Sequence, residues 1–192
     1  MNHLFAKPFP PAGPSILAVQ RFRKHQSRLF AGKSIGRLFF AALPDARTAV
    51  QISDLACRLK LAHELTGRLA RPEHFHVPLL HLGDGDAEEA AERAAVLTMP
   101  SFNVRFDRAG SFQNGAFVLR GEQGTMGLEI LQQRLSDALD SRPGRARPFT
   151  PHVTLLRDSH RVEEHAIQPV EWTVKEVVLV QGRRAVARVP LG

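Results

Sequence analysis

The sequence contains a single cysteine among its 192 residues, Cys57. One thiol cannot form an internal disulfide framework, and it excludes a zinc site built from cysteines. Cys57 falls within the apolar run of a predicted helix, so we expect a buried, unreactive thiol. The sequence also lacks any uninterrupted apolar run of about 18 residues. We therefore expect no membrane span and a cytoplasmic protein.

Acidic residues are missing from the first 36 residues, which carry six lysines and arginines. Residues 37–192 contain the other 20 basic residues and all 19 acidic residues, a net charge of +1 within the total of +7. The basic character therefore belongs to an N-terminal extension, 1–36, and not to the expected domain, 37–192. Three interpretations of the extension stay open: an extension of no consequence, which we favour, an arm that contacts RNA phosphates, or a targeting peptide.

From residue 37 onward, apolar periodicity and turn residues alternate in a regular way. The pattern predicts helices over 45–60, 87–97 and 125–139, and strands over 38–43, 74–82, 101–106, 116–120, 152–157, 172–180 and 185–189. Helices placed between strands, with hairpins, indicate an α+β protein with helices packed outside two sheets. We expect two related lobes of antiparallel sheet, related by a pseudo-twofold axis, with a central groove between them.

The symmetry is predicted from a repeated phrase. His76-Val77-Pro78-Leu79-Leu80-His81 and His152-Val153-Thr154-Leu155-Leu156-Arg157 agree at four of six positions and lie 76 residues apart. In a regular strand, His152 and Thr154 share one face, whereas Arg157 lies on the other. One such strand from each lobe would line the groove.

Two histidines on facing strands suit general acid–base chemistry. The imidazole pKa lies near 6.5, so one ring can accept a proton at neutral pH while the other donates one. Cleavage of a phosphodiester needs both steps, and its phosphoryl oxygens need donors such as a threonine hydroxyl or an arginine. This chemistry requires no metal or other cofactor.

The repeated His-x-Thr-x pattern resembles the 2H phosphoesterase superfamily, and within it the bacterial RNA 2′,3′-cyclic phosphodiesterases, also called 2′-5′ RNA ligases. The resemblance covers nearly all of 37–192. It rests on Arg37 to Pro44, Arg71 to Gly83, Phe149 to Leu155 and Trp172 to Val180. It implies a hydrolase that opens 2′,3′-cyclic phosphate ends of RNA or nucleotides to 2′-phosphates, with possible reverse 2′-5′ ligation. His76 and His152 would be catalytic, Thr154 would bind phosphate, and a monomer is expected.

One position departs from the family pattern. Pro78 stands where the first motif has threonine, and proline offers neither a hydroxyl nor a backbone N–H. A proline within a strand also indicates a bulge or an unpaired edge. The alternative function is therefore a catalytically weakened or inactive protein that binds RNA or nucleotides on the same fold.

Further residues are candidates for contact with the substrate. Phe40 and Phe149 could stack on a base, but we favour core packing for each. Arg147 and Arg157 could reach a phosphate, with a solvated surface charge as the alternative. We expect His81 to be structural. His74, His76 and His152 together lack the carboxylate or cysteine that a metal site would add, so we predict no metal there.

Overall fold

The structure is a computed structural model that describes residues 36–140 and 149–192. The predictions for the N-terminal extension and for Arg147 lie outside these residues. Within them, no helix is both long enough and apolar enough to span a bilayer.

The described chain forms two four-stranded antiparallel sheets and three helices, confirming the α+β prediction. The first sheet has the order β2-β1-β7-β8 and the second the order β5-β4-β3-β6. The strands are β1 (Leu38–Ala42), β2 (Val77–Gly83), β3 (Phe102–Ser111), β4 (Ala116–Arg120), β5 (His152–Arg157), β6 (His165–Val174), β7 (Glu176–Gln181) and β8 (Arg184–Pro190). The helices are α1 (Ala46–Ala62), α2 (Ala87–Ala94) and α3 (Met126–Ala138).

The repeat corresponds to two strand–helix–strand units, β1-α1-β2 and β4-α3-β5. In each unit the helix joins two neighbouring antiparallel strands, and the second strand lies at the edge of its sheet. Each helix also contacts the opposite sheet, since α1 packs on β6 and α3 on β2. These contacts between each helix and the opposite sheet join the two sheets through one apolar core. They also bring the edge strands β2 and β5 together.

Helix α1 begins as predicted, because the Asp45 side chain accepts a hydrogen bond from the backbone N–H of Thr48 at 2.9 Å. Its buried side includes Ile52, Leu55 and Leu59. Cys57 lies outside that side and is exposed, so the prediction of a buried thiol is wrong. Apolar neighbours in sequence did not identify the buried face, because adjacent residues on a helix point in different directions.

Two strand predictions need correction. The first repeat strand begins at Val77 and not at residue 74, since Pro72–His74 forms a turn of 3₁₀ helix. The predicted strand over 172–180 is two strands, β6 and β7, separated at Lys175. The first part of β6 was missed because its residues are polar or exposed along a sheet edge, so no buried alternation marks them.

Candidate active site

The two repeat histidines lie at the adjoining edges of the two sheets. His152 is the first residue of β5, and His76 directly precedes β2. Both side chains are half-buried. Strands β2 and β5 are in contact, and the charge of His76 lowers the pKa of His152. The structure thus brings together the two residues that the sequence predicts to be catalytic.

Each imidazole makes the same hydrogen bond to the backbone two residues earlier. His76 Nδ1 lies 2.7 Å from the carbonyl oxygen of His74, and His152 Nδ1 lies 2.7 Å from that of Thr150. A carbonyl only accepts, so Nδ1 carries the proton in both rings. In the neutral ring this leaves a lone pair on Nε2. Both histidines are therefore oriented with Nε2 as the atom that can exchange a proton.

The surroundings lower the pKa of both histidines below the ordinary value of 6.5. Burial is the largest cause in each case, since it disfavours the charged ring. The backbone hydrogen bond opposes it. For His152 the charges of His76, Arg120 and Arg157 lower the pKa further. Near pH 7 the free site thus holds two largely neutral imidazoles, and an anionic substrate would favour protonation of one.

An irregularity in β5 changes the predicted position of Arg157. Phe117 pairs with Leu156 and Val118 with Thr154, so the register slips by one residue at Leu155. Leu155 and Leu156 are consequently both buried, and Arg157 is exposed. The slip turns Arg157 towards the face of His152, whose pKa it lowers. The predicted placement of Arg157 on the opposite face was wrong, because it assumed unbroken alternation.

The same slip occurs in β2, at the equivalent residue Leu79. It brings His81, the repeat counterpart of Arg157, next to the groove. The ring of Phe39 lies between the two histidines, 5.3 Å from His76 and 5.5 Å from His81 between centroids. His81 also lowers the pKa of His76. His81 was expected to be structural, and the slip places it beside the groove-facing ring of Phe39.

The phenylalanine of β1 that lies beside the groove is Phe39 and not Phe40. Phe40 is 0% exposed and packs in the core, as we favoured, so it is not the residue that stacks on a base. Its neighbour Phe39 occupies the groove side instead, because adjacent strand residues face opposite ways. Phe149 is partly buried against the core.

Two residues beside His152, Phe112 and Arg120, were not predicted from the sequence. The ring of Phe112 lies edge-on to His152 with centroids 4.9 Å apart, and the Arg120 guanidinium lies over Phe112 at 5.8 Å. Arg120 pairs with His152 across β4 and β5 and forms an ion pair with Glu164. Its Nε is buried without a hydrogen-bond partner among the described residues. Only strand pairing could have revealed these neighbours, since neither belongs to the repeated phrase.

Asp158, directly after β5, connects the two motifs. Its carboxylate accepts hydrogen bonds from the backbone N–H groups of Thr66 and Gly67, both at 2.7 Å, and of His160 at 2.8 Å. These bonds, that of His160 first, lower the pKa of Asp158 to about 2. The chain runs from Gly67 into the turn before His76, with a further backbone bond from Ala70 to β5 at 2.7 Å. Asp158 thus holds the approach to the first motif against the second.

Thr154 and Pro78 occupy equivalent positions in the two motifs. Each lies two residues after its histidine, each precedes a register slip, and both are half-buried. The slip is not caused by the proline, since β5 has it with threonine. Proline is tolerated because β2 is an edge strand. At these two equivalent positions the groove therefore has the hydroxyl of Thr154 on one side and a proline ring without a hydroxyl on the other.

Two antiparallel sheets that present paired histidines from equivalent edges define the architecture of a 2H phosphoesterase. Comparison with known proteins agrees, since residues 44–185 match the model of the 2′-5′ RNA ligase superfamily. The chain therefore belongs to that superfamily.

Solved structures provide further comparisons. E. coli LigT complexed with 3′-AMP is 30% identical, with a TM-score of 0.65 over 81% of this chain and 98% of that one. LigT complexed with ATP is also 30% identical, with a TM-score of 0.59 over 82% and 95%. The protein TT0787 of Thermus thermophilus, 24% identical, shares the fold with a TM-score of 0.61 over 76% and 87%. A search of curated protein sequences gave no match.

Proposed function

We propose that the protein hydrolyses 2′,3′-cyclic phosphate ends of RNA or nucleotides to 2′-phosphates. The observation that carries this proposal is the matched pair of histidines, each with Nδ1 bound to a backbone carbonyl and Nε2 available. The nucleotides named in the LigT complexes support a nucleotide as substrate. The reverse reaction, joining 2′-5′ ends, follows from microscopic reversibility.

His76 and His152 divide two proton transfers between their Nε2 atoms. One takes a proton from water as the oxygen attacks phosphorus, and the other donates a proton to the departing 3′ oxygen. The bond between phosphorus and the 3′ oxygen breaks, while the bond to the 2′ oxygen stays. After one turnover the two protonation states are exchanged, and proton exchange with solvent restores them. Neither step requires a metal ion.

Donors beside His152 support the binding of a phosphoryl group. Thr154 shares the groove face and can donate its hydroxyl, and Arg157 is turned to that face by the register slip. Arg120 adds a positive charge and a buried Nε without a described partner. A dianionic transition state gains more from such fixed donors than the ground state does.

A second candidate function rests on Pro78. If the missing hydroxyl abolishes turnover, the same groove would bind an RNA or nucleotide without cleaving it. The phosphate contacts would remain, because Thr154 and Arg157 come from the other motif.

Turnover of a 2′,3′-cyclic nucleotide in EDTA tests the proposal. We expect wild-type protein to release the 2′-phosphate, and His76→Ala and His152→Ala each to lose about 100-fold or more in kcat/KM. Thr154→Ala should also lower kcat/KM, because it removes a donor to the phosphoryl group. Thr173→Ala is its matched control, because Thr173 is an exposed strand threonine bonded only to Asn103 among the described residues. If His76→Ala and His152→Ala both keep the wild-type turnover, catalysis by the histidine pair is rejected. Nucleotide binding without turnover would favour the second candidate.

A further inference from the structure

A second pair of histidines lies outside the groove. His63 caps the C-terminus of α1, and His165 begins β6. Their Nε2 atoms are 3.3 Å apart, while their ring centroids are 4.7 Å apart. The nitrogens are therefore closer together than the rings, and the two Nε2 atoms converge.

A hydrogen bond of His165 leaves its Nε2 available as a metal ligand. His165 Nδ1 lies 3.0 Å from the carbonyl oxygen of Glu163, so Nδ1 carries the proton and Nε2 the lone pair. Metal-binding histidines commonly use such a carbonyl to fix their orientation.

The distance between the nitrogens fits a shared ion. Zinc–nitrogen bonds of about 2.0–2.1 Å at a tetrahedral angle place two ligand nitrogens about 3.3–3.4 Å apart. A direct hydrogen bond from His63 to His165 would also allow the observed spacing, although 3.3 Å is long for a bond from nitrogen. The residues around the pair distinguish a shared metal ion from a direct hydrogen bond.

A third ligand is available in the same surface hollow. His160 and Glu163 line it together with the pair. The loop that carries them is held in place, because Asp158 accepts from the backbone N–H of His160 at 2.8 Å, and Val162 and Ser111 bond to each other through two bonds of 2.9 and 3.1 Å. Among the described residues no three such side chains already surround a common point, so His160 or Glu163 would have to rotate inwards. Both side chains are exposed.

We infer that His63 and His165, completed by His160 or Glu163 and water, form a binding site for a divalent transition metal ion such as Zn²⁺. Imidazole nitrogens prefer Zn²⁺, Cu²⁺ and Ni²⁺ over Mg²⁺ and Ca²⁺. The ion would join the end of α1 to the start of β6 and would stabilise the contact between helix and second sheet. It takes no part in the proposed phosphodiester cleavage, since the groove histidines are a separate pair.

Titration calorimetry with Zn²⁺ on tag-free, full-length protein tests the inference. We expect one Zn²⁺ per chain, and His63→Gln and His165→Gln should each weaken binding at least about tenfold, as loss of even an outer partner does. Cobalt substitution should give the visible absorption of a tetrahedral site, displaced by Zn²⁺. At about one hundred times the wild-type Kd, Zn²⁺ should raise the Tm of wild type by roughly 5–10 °C, and the Tm of His63→Gln and His165→Gln by about half as much or less.

The double variant His76→Ala/His152→Ala removes the other close pair of histidines and should bind Zn²⁺ as wild type does. Absence of stoichiometric binding would mean an ordinary hydrogen bond between His63 and His165 and would reject the site. Binding lost in the double variant but kept in His63→Gln would place the ion in the groove and would also reject it. Neither result bears on cyclic phosphodiesterase activity, which is measured in EDTA.

Discussion

Restoring the missing hydroxyl in the first motif is the sharpest test of how this groove works. Pro78 has the same offset from His76 as Thr154 has from His152, and both precede a register slip at the next residue. A threonine at 78 should therefore direct its hydroxyl into the groove from the opposite side. Replacement of proline in an edge strand should not disturb the pairing of β2 with β1.

The expected gain can be estimated from one added hydrogen bond to a charged phosphoryl oxygen. Such bonds contribute about 1.5–3 kcal/mol. If the bond forms mainly in the transition state, Pro78→Thr should raise kcat/KM by about 10- to 150-fold, mostly in kcat. By the same reasoning Thr154→Val should lower kcat/KM by a similar factor.

Steady-state hydrolysis of a 2′,3′-cyclic nucleotide in EDTA provides the assay. Pro78→Val is the matched control, because valine removes the proline ring and restores the backbone N–H without a hydroxyl. The reasoning is refuted if Pro78→Thr and Pro78→Val have the same kcat/KM. A gain in Pro78→Thr that persists after His76→Ala would also contradict it, since the hydroxyl is expected to act together with the acid–base pair.

The remaining predictions concern the two groove histidines and the Asp158 contact. Activity should depend on pH through His76 and His152, because the pKa values of both are lowered. The acidic limb of the pH profile of kcat/KM should therefore have its midpoint below pH 6.5. A midpoint above pH 6.5 would contradict the argument that burial lowers these pKa values. These two histidines bind fewer protons in the folded protein than in the unfolded chain, so the free energy of unfolding is at its full value above pH 6.5 and declines as the pH falls below it. Urea titrations should show a smaller decline for His76→Ala than for wild type. Asp158→Asn should lower the Tm at neutral pH. The difference from wild type should vanish as the pH falls from 3.8 through about 2, because protonation of Asp158 then weakens the same hydrogen bonds in wild type. A difference that does not change over this range would show that the charge of Asp158 is unimportant. Gly67→Ala should destabilise the same contact, since an added Cβ would lie 2.0 Å from a β5 carbonyl oxygen, and a Tm equal to that of wild type would contradict the close approach.

The sequence was sufficient for the parts of this structure that depend on local pattern. The repeated phrase predicted two equivalent strands, and the helix predicted over 45–60 begins where Asp45 makes its capping bond. The positions of Arg157 and His81 could not be predicted, because a register slip depends on how a strand pairs with its neighbour. Strand pairing also brings Arg120 to His152, and no rule of spacing connects two residues that lie 32 positions apart in the chain.

The order of strands in the first sheet has a consequence for biosynthesis. β1 is apolar and fully internal, with β2 on one side and β7 on the other. The ribosome makes β7 more than 130 residues after β1, which at about 5–20 residues per second is a delay of roughly seven seconds to half a minute. Throughout that time one edge of β1 has no partner from its own chain, and such an edge can pair with other molecules. Yield in the cell should therefore depend on chaperones that protect the nascent first half, even though the finished groove is formed by short, local motifs.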